Sequence, residues 1–181
     1  MLTPVVPYRS FGQFTEETSL ILIYVDTNTS PNLRLYENLQ LLNDRTLIFY
    51  VHEPFLEYIR THCNQHANLI LSTALVDELV RQVHHLPNVD SVYIHHHEAD
   101  RYNLLSQSCS KVRAVYRNPD NLFSQIGIDL GLLFFKRFEQ YKKNGDISAA
   151  NECHQHSLEM YNIVNECMKA DEEEIKEFSR L

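Results

Sequence analysis

The chain is short of the residues that make linkers, staples and phosphate cradles. Only 4 glycines and 6 prolines occur in 181 residues, with no low-complexity run. That leaves no flexible linker and no disordered tract. The four cysteines, Cys63, Cys109, Cys153 and Cys167, are scattered and form no CxxC pair. They read as small buried or half-buried hydrophobes, not as a disulfide frame or a zinc site. Basic residues are the minority, 16 Lys and Arg against 24 Asp and Glu, for a formal charge of -8 without a basic cluster. The electrostatic term behind most nucleic-acid binding is missing, and anionic membranes are disfavoured for the same reason. No window approaches the roughly 18 apolar residues of a membrane span. The start, "MLTPVVPYRS", has neither the basic opening nor the apolar core of a signal peptide. A cytoplasmic protein is expected. No glycine occurs in "VDTNTSPN" either, which argues against a dinucleotide or P-loop cradle and implies no cofactor.

What the chain does have is alternation. After a proline-containing lead-in, residues 1–18, comes "SLILIYVDT", Ser19 to Thr27, a near-continuous apolar run of the kind buried on both faces of a parallel sheet. "SPNLRLYENLQLLN" follows, with Ser30 able to cap, Pro31 suited to a first helical turn, and Leu35, Leu39 and Leu42 on one face. The unit then repeats. "TLIFYV" precedes "EPFLEYIRTHC", "NLILST" precedes "ALVDELVRQVHHL", "VDSVYIH" precedes "EADRYNLLSQSC", and "KVRAVYR" precedes a helix starting near Pro119. Strands alternating with helices predict an α/β fold, a five-stranded parallel doubly wound sheet of order 2-1-3-4-5, spanning residues 19–143 with its long last helix.

The last helix, Asn121 to Lys143, is apolar around much of its circumference, so Phe134 and Phe135 are expected to be covered. "NGD" at 144–146 reads as a helix-ending turn with a left-handed Gly145 and a capping Asp146. Residues 144–181 then form one long helix, completing a C-terminal α-helical hairpin. Ile147, His154, Tyr161, Met168 and Ile175 recur every seven residues with Ala150, Val164 and Phe178 between them. Two uses of this seam stand open. It can close on the preceding helix, or Tyr161, Val164, Met168, Ile175 and Phe178 can meet a protein partner or a second copy as a homodimer. From Met168 onward the helix should overhang its partner. The end, "DEEEIKEFSRL", carries no stop signal and leaves room for further domains C-terminal to this chain.

In an open α/β sheet, function gathers beyond the carboxyl ends of the strands where the strand order reverses. With the expected order, the crevice there draws on Asp26, Thr27, Ser72, Thr73, His95 and Arg117. "LILIYVDTN" and "ANLILST" resemble the first and third strands of response-regulator receiver domains. In that family, acidic residues after strand one hold magnesium, an aspartate ending strand three takes phosphate, a hydroxyl ends strand four and a lysine ends strand five. Here Asp26 matches one acidic position, Ser72 or Thr73 stands where the acceptor would be, His95 replaces the hydroxyl and Arg117 the lysine. A serine hydroxyl needs a positioned base where a carboxylate does not, and one carboxylate is a poor magnesium site. The resemblance therefore implies a fold without its phosphotransfer.

A second resemblance runs from Leu20 to Asn121. "NLILSTALVDELVRQVHHLPNVDSVYIHHHEADRY", with Ser72, His85, Leu86, Pro87, Val89, Ser91, Val92 and Tyr93, looks like the receiver-like N-terminal domain of eukaryotic multidomain proteins that often carry tetratricopeptide repeats or an ADP-ribosyltransferase-type domain. "YKKNGDISAANECHQHSLEMY" also resembles part of a tetratricopeptide repeat through Tyr141, Gly145 and Ala150, but His154 and Ser157 depart from it and one copy makes at most a hairpin. The histidine runs at 84–85 and 95–97 place at most His95 and His97 on one side of a strand, too few ligands for a tight metal site. The expectation is a non-catalytic interaction or regulatory module. The alternative is an enzyme or nucleotide- and anion-binding domain built around Asp26, Ser72 and Arg117.

Overall fold

The computed structural model describes residues 20–62 and 64–178, with side chains described except for Asn103 and residues 171–178. The lead-in at 1–18, Ser19 and Cys63 lie outside the described residues, as do the side chains of Ile175 and Phe178.

Five strands, β1 (Leu20–Asp26), β2 (Leu47–Phe49), β3 (His66–Ser72), β4 (Val89–His95) and β5 (Val112–Tyr116), form one parallel sheet of order β2-β1-β3-β4-β5. This is the expected order. Between and after the strands run α1 (Leu33–Leu42), α2 (His52–Thr61), α3 (Val76–Val83), α4 (Ala99–Ser108), α5 (Pro119–Lys143) and α6 (Ile147–Phe178). Every residue of β1 is buried because helices cover both faces. Ile21, Ile23 and Val25 point into a core shared with α2, α3 and α4. Leu20, Leu22 and Tyr24 point into a second core with α1, α5 and α6. At the edge, β2 is reduced to three half-buried residues.

Asn32, not Ser30, caps α1, its side chain accepting from the Leu35 amide at 2.9 Å. The Asn32 amide donates to Asp26 Oδ2 at 2.9 Å, and that tie fixes where the helix begins. At the hairpin, Gly145 takes a φ of 82° and Asp146 Oδ1 accepts from the Ala149 amide, as the turn chemistry requires.

The helices α5 and α6 are antiparallel and very close. A Cβ added to Gly127 would lie 2.3 Å from Val164 Cγ2, and one on Gly131 would lie 2.9 Å from the Tyr161 ring. Ser157, buried, donates to the Gly131 carbonyl at 2.9 Å. Small residues let the two backbones approach, and Met160 and Val164 reach the second core. Val164 therefore faces the inside of its own chain, whereas Met168 is 53% exposed. The expectation for α5 needs correcting as well. Phe134 is only half-buried and Phe135 is exposed, because α6 covers the Gly127–Gly131 side of α5 and leaves the flank a quarter-turn away open to solvent. Carried along the helices, the pairing of Gly127 with Val164 sets Pro119 opposite roughly residue 171, so the overhang begins there and not at Met168.

Candidate functional site at the strand ends

In-register pairing sets Asp26 beside Ser72 at the ends of β1 and β3. Asp26 is 1% exposed. Its carboxyl accepts four hydrogen bonds: from Tyr24 Oη at 2.6 Å, the Asn28 amide at 3.1 Å, Asn28 Nδ2 at 2.7 Å and the Asn32 amide. Two oxygens offer about four lone-pair directions, so the group is filled from within. Burial pushes the Tyr24 phenol well above its ordinary range and the bond to Asp26 adds to that, which keeps it a neutral donor.

The hydroxyls are engaged in the same way. Thr73 Oγ1 receives the Thr27 hydroxyl at 2.8 Å and the Leu75 amide at 3.2 Å, and meets His52 Nε2 at 2.9 Å. Three partners are the most that one hydroxyl can hold. Ser72 Oγ accepts from Asn28 Nδ2 at 3.0 Å and lies 3.3 Å from His95 Nδ1. Both residues are buried. Two hydroxyl–imidazole pairs stand side by side here, an arrangement that could in principle activate a nucleophile. Both oxygens belong to buried residues, and Thr73 has no valence left. Burial lowers the His95 imidazole below its ordinary value, opposed by a hydrogen bond with the Arg117 backbone and by Asp26. It is neutral near pH 7 and suited to accept from Ser72.

Arg117 does not join the others. Its guanidinium turns outward to Asp100, and both side chains are exposed. The crevice thus brings together Asp26, Thr27, Ser72, Thr73 and His95, and loses the cation that an anion site would need. Sequence reasoning missed Asn28 and, though it sets His52 at a strand end, left it out of the crevice. Asn28 had a signal, since an amide two residues after an aspartate closes a local turn. His52 had only its place after β2.

No family model, curated protein or solved structure matches this chain.

Beyond β4, His96, His97 and Glu98 bring their ligand atoms within 4.8 Å of one another. The sequence expectation had instead paired His95 with His97. The turn after β4 rotates His96 against His97, ring on ring at 4.3 Å. His96 Nδ1 already accepts from the Glu98 amide at 3.0 Å, which fixes its proton on Nε2. A metal could enter only by displacing that bond or moving that proton. A further concavity of about 700 Å³ opens between α5 and the amino ends of β3 and β4. Within its lining Ser91 pairs with Asn68 at 2.5 Å, Tyr93 with Asp129 at 2.7 Å and His66 with Asp90 at 2.8 Å, and Arg113, Lys136 and Arg137 also border it.

Proposed function

We propose that the chain is a receiver-like domain that performs no phosphotransfer and serves as a cytoplasmic interaction or regulatory module, docking protein through the outer face of its C-terminal hairpin. One observation carries this reading: the polar strand edge is closed upon itself while large apolar side chains stand in solvent along α5 and α6. Leu132 is 46% exposed, Phe135 41% and Leu158 46%. Exposed apolar side chains gathered on one face are the usual mark of a docking surface. At the strand edge, by contrast, Asp26 would have to break four hydrogen bonds before it could bind magnesium or accept phosphate. Location inside the cell is part of the proposal. Among the described residues no helix is long and apolar enough to cross a membrane.

Incubation with acetyl phosphate and magnesium, followed by intact-mass measurement, tests the non-catalytic half of this reading. An unchanged mass is expected. A stoichiometric adduct that disappears in Asp26→Asn would overturn it.

A further inference from the structure

Apolar side chains stand exposed along both helices of the hairpin. On α5 it runs through Ile128, Leu132 and Phe135, at intervals of four and three residues, all more than a third exposed. On α6 it runs through Leu158, Tyr161 and Met168, also exposed and in step with His154 at the same helical spacing. The two stripes join at the hairpin tip, where Phe138 lies 5.6 Å from the Phe135 ring and stacks on His154 at 5.0 Å. The result is a two-helix apolar surface whose flanks, at Leu132 and at Met168, border the concavities against β3 and β4 and against α1.

The charges at its two ends have opposite sign. Residues 136–143, at the tip, carry four basic side chains against Glu139 alone. Residues 166–177, at the far end of α6, carry six acidic against two basic. A copy of the chain laid antiparallel across this face sets each basic tip on the other copy's acidic end, and apolar stripe on apolar stripe. Parallel packing would oppose like charges in a chain that already carries -8. A two-fold interface uses the same patch twice and so must be self-complementary. This face meets that condition in one orientation only.

We infer that the docking partner is a second copy of this chain, held as an antiparallel dimer through the outer faces of α5 and α6, with Lys142 and Lys143 of each copy facing the acidic end of the other. The inference rests on reading the hairpin as the docking surface, and it names the occupant. Opposite charge at the rim sets orientation and encounter, and salt weakens it.

Sedimentation equilibrium across a concentration series tests it, at low and at high salt. The wild-type chain should dimerise. Leu132→Glu with Phe135→Glu should be monomeric with unchanged circular dichroism, since both side chains already stand in solvent. Lys142→Glu with Lys143→Glu, at the exposed tip, leaves the core untouched. It should weaken the dimer at least tenfold at low salt, with the difference shrinking at high salt. A wild-type monomer at millimolar concentration overturns the inference. So does a dimer indifferent to the Leu132 and Phe135 pair, or one tightened by the lysine reversals. None of these results bears on the phosphodonor assay, which judges the non-catalytic reading separately.

Discussion

Replacing Gly127 by alanine puts a methyl group 2.3 Å from Val164 Cγ2, more than an ångström inside normal van der Waals separation. The neighbour cannot easily give way. Val164 is β-branched, its χ1 is nearly fixed in a helix, and it is 5% exposed within the second core. Overpacking of this kind costs about 1–3 kcal/mol. Against it stands a gain of about 1 kcal/mol from exchanging glycine for alanine inside a helix. With so close a contact the upper part of the overpacking range applies, leaving a net loss of about 1–2 kcal/mol. For a chain of this length that lowers the melting temperature by roughly 2–8 °C. The assay is thermal and urea unfolding of Gly127→Ala, of Val164→Ala and of the double variant, which should be more stable than the two single losses together imply. Gly131→Ala serves as the comparison. Its new methyl meets the Tyr161 ring at 2.9 Å, but that ring is 37% exposed and can swing outward. The loss should largely cancel against the helical gain. If Gly127→Ala is as stable as the wild type or more so, the close approach of α5 and α6 is refuted.

Other perturbations address the site and the core. Asp26→Asn replaces one acceptor oxygen with a donor amide facing Tyr24 Oη and backbone amides, and should cost about 2–3 kcal/mol in urea unfolding; a neutral result would mean that the carboxyl is not the hub of the strand end. Met160→Ala, at a side chain with no exposure, should cost about 2–5 kcal/mol, and a much smaller loss would show that α6 does not seal the second core. Stability should also fall as pH falls from the ordinary histidine value of 6.5, because burial holds His95 below it, so that in this window the unfolded chain binds the proton and the folded chain does not. His96, also lowered chiefly by burial, adds to the same slope. His95→Asn should flatten the profile, and an unchanged slope would contradict the buried neutral imidazole.

Most of the fold could be read from the chain because a strand buried on both faces must be apolar without alternation, and "LILIYV" and "LILS" have few other uses. Helix faces such as Leu35, Leu39 and Leu42 declare themselves by spacing. What escaped the reading was set by tertiary contact. The cap at Asn32 follows from the carboxyl of Asp26, a residue in another element, and no local rule prefers it to Ser30. Phe135 looked too apolar to be exposed, since sequence shows that a helix has a broad apolar girth but not which arc its neighbour takes. The Gly127–Gly131 spacing marked that arc, and small residues four apart were its signal. At the strand ends, the residues at the tips of β1, β3 and β4 came together as strand order requires. The direction of Arg117 was not legible, because its partner Asp100 sits on the neighbouring helix α4.

The central claim is that this chain works through the outer face of its hairpin and not through its strand ends. Two-dimensional amide NMR across a concentration series, with every backbone resonance assigned, tests it most directly. Shifts and broadening confined to α5 around Ile128–Phe138 and to α6 around His154–Met168, with Asn28, Thr73 and His95 unmoved, are the predicted result. Changes centred on Asn28, Thr73 and His95 with the hairpin unmoved would contradict the account.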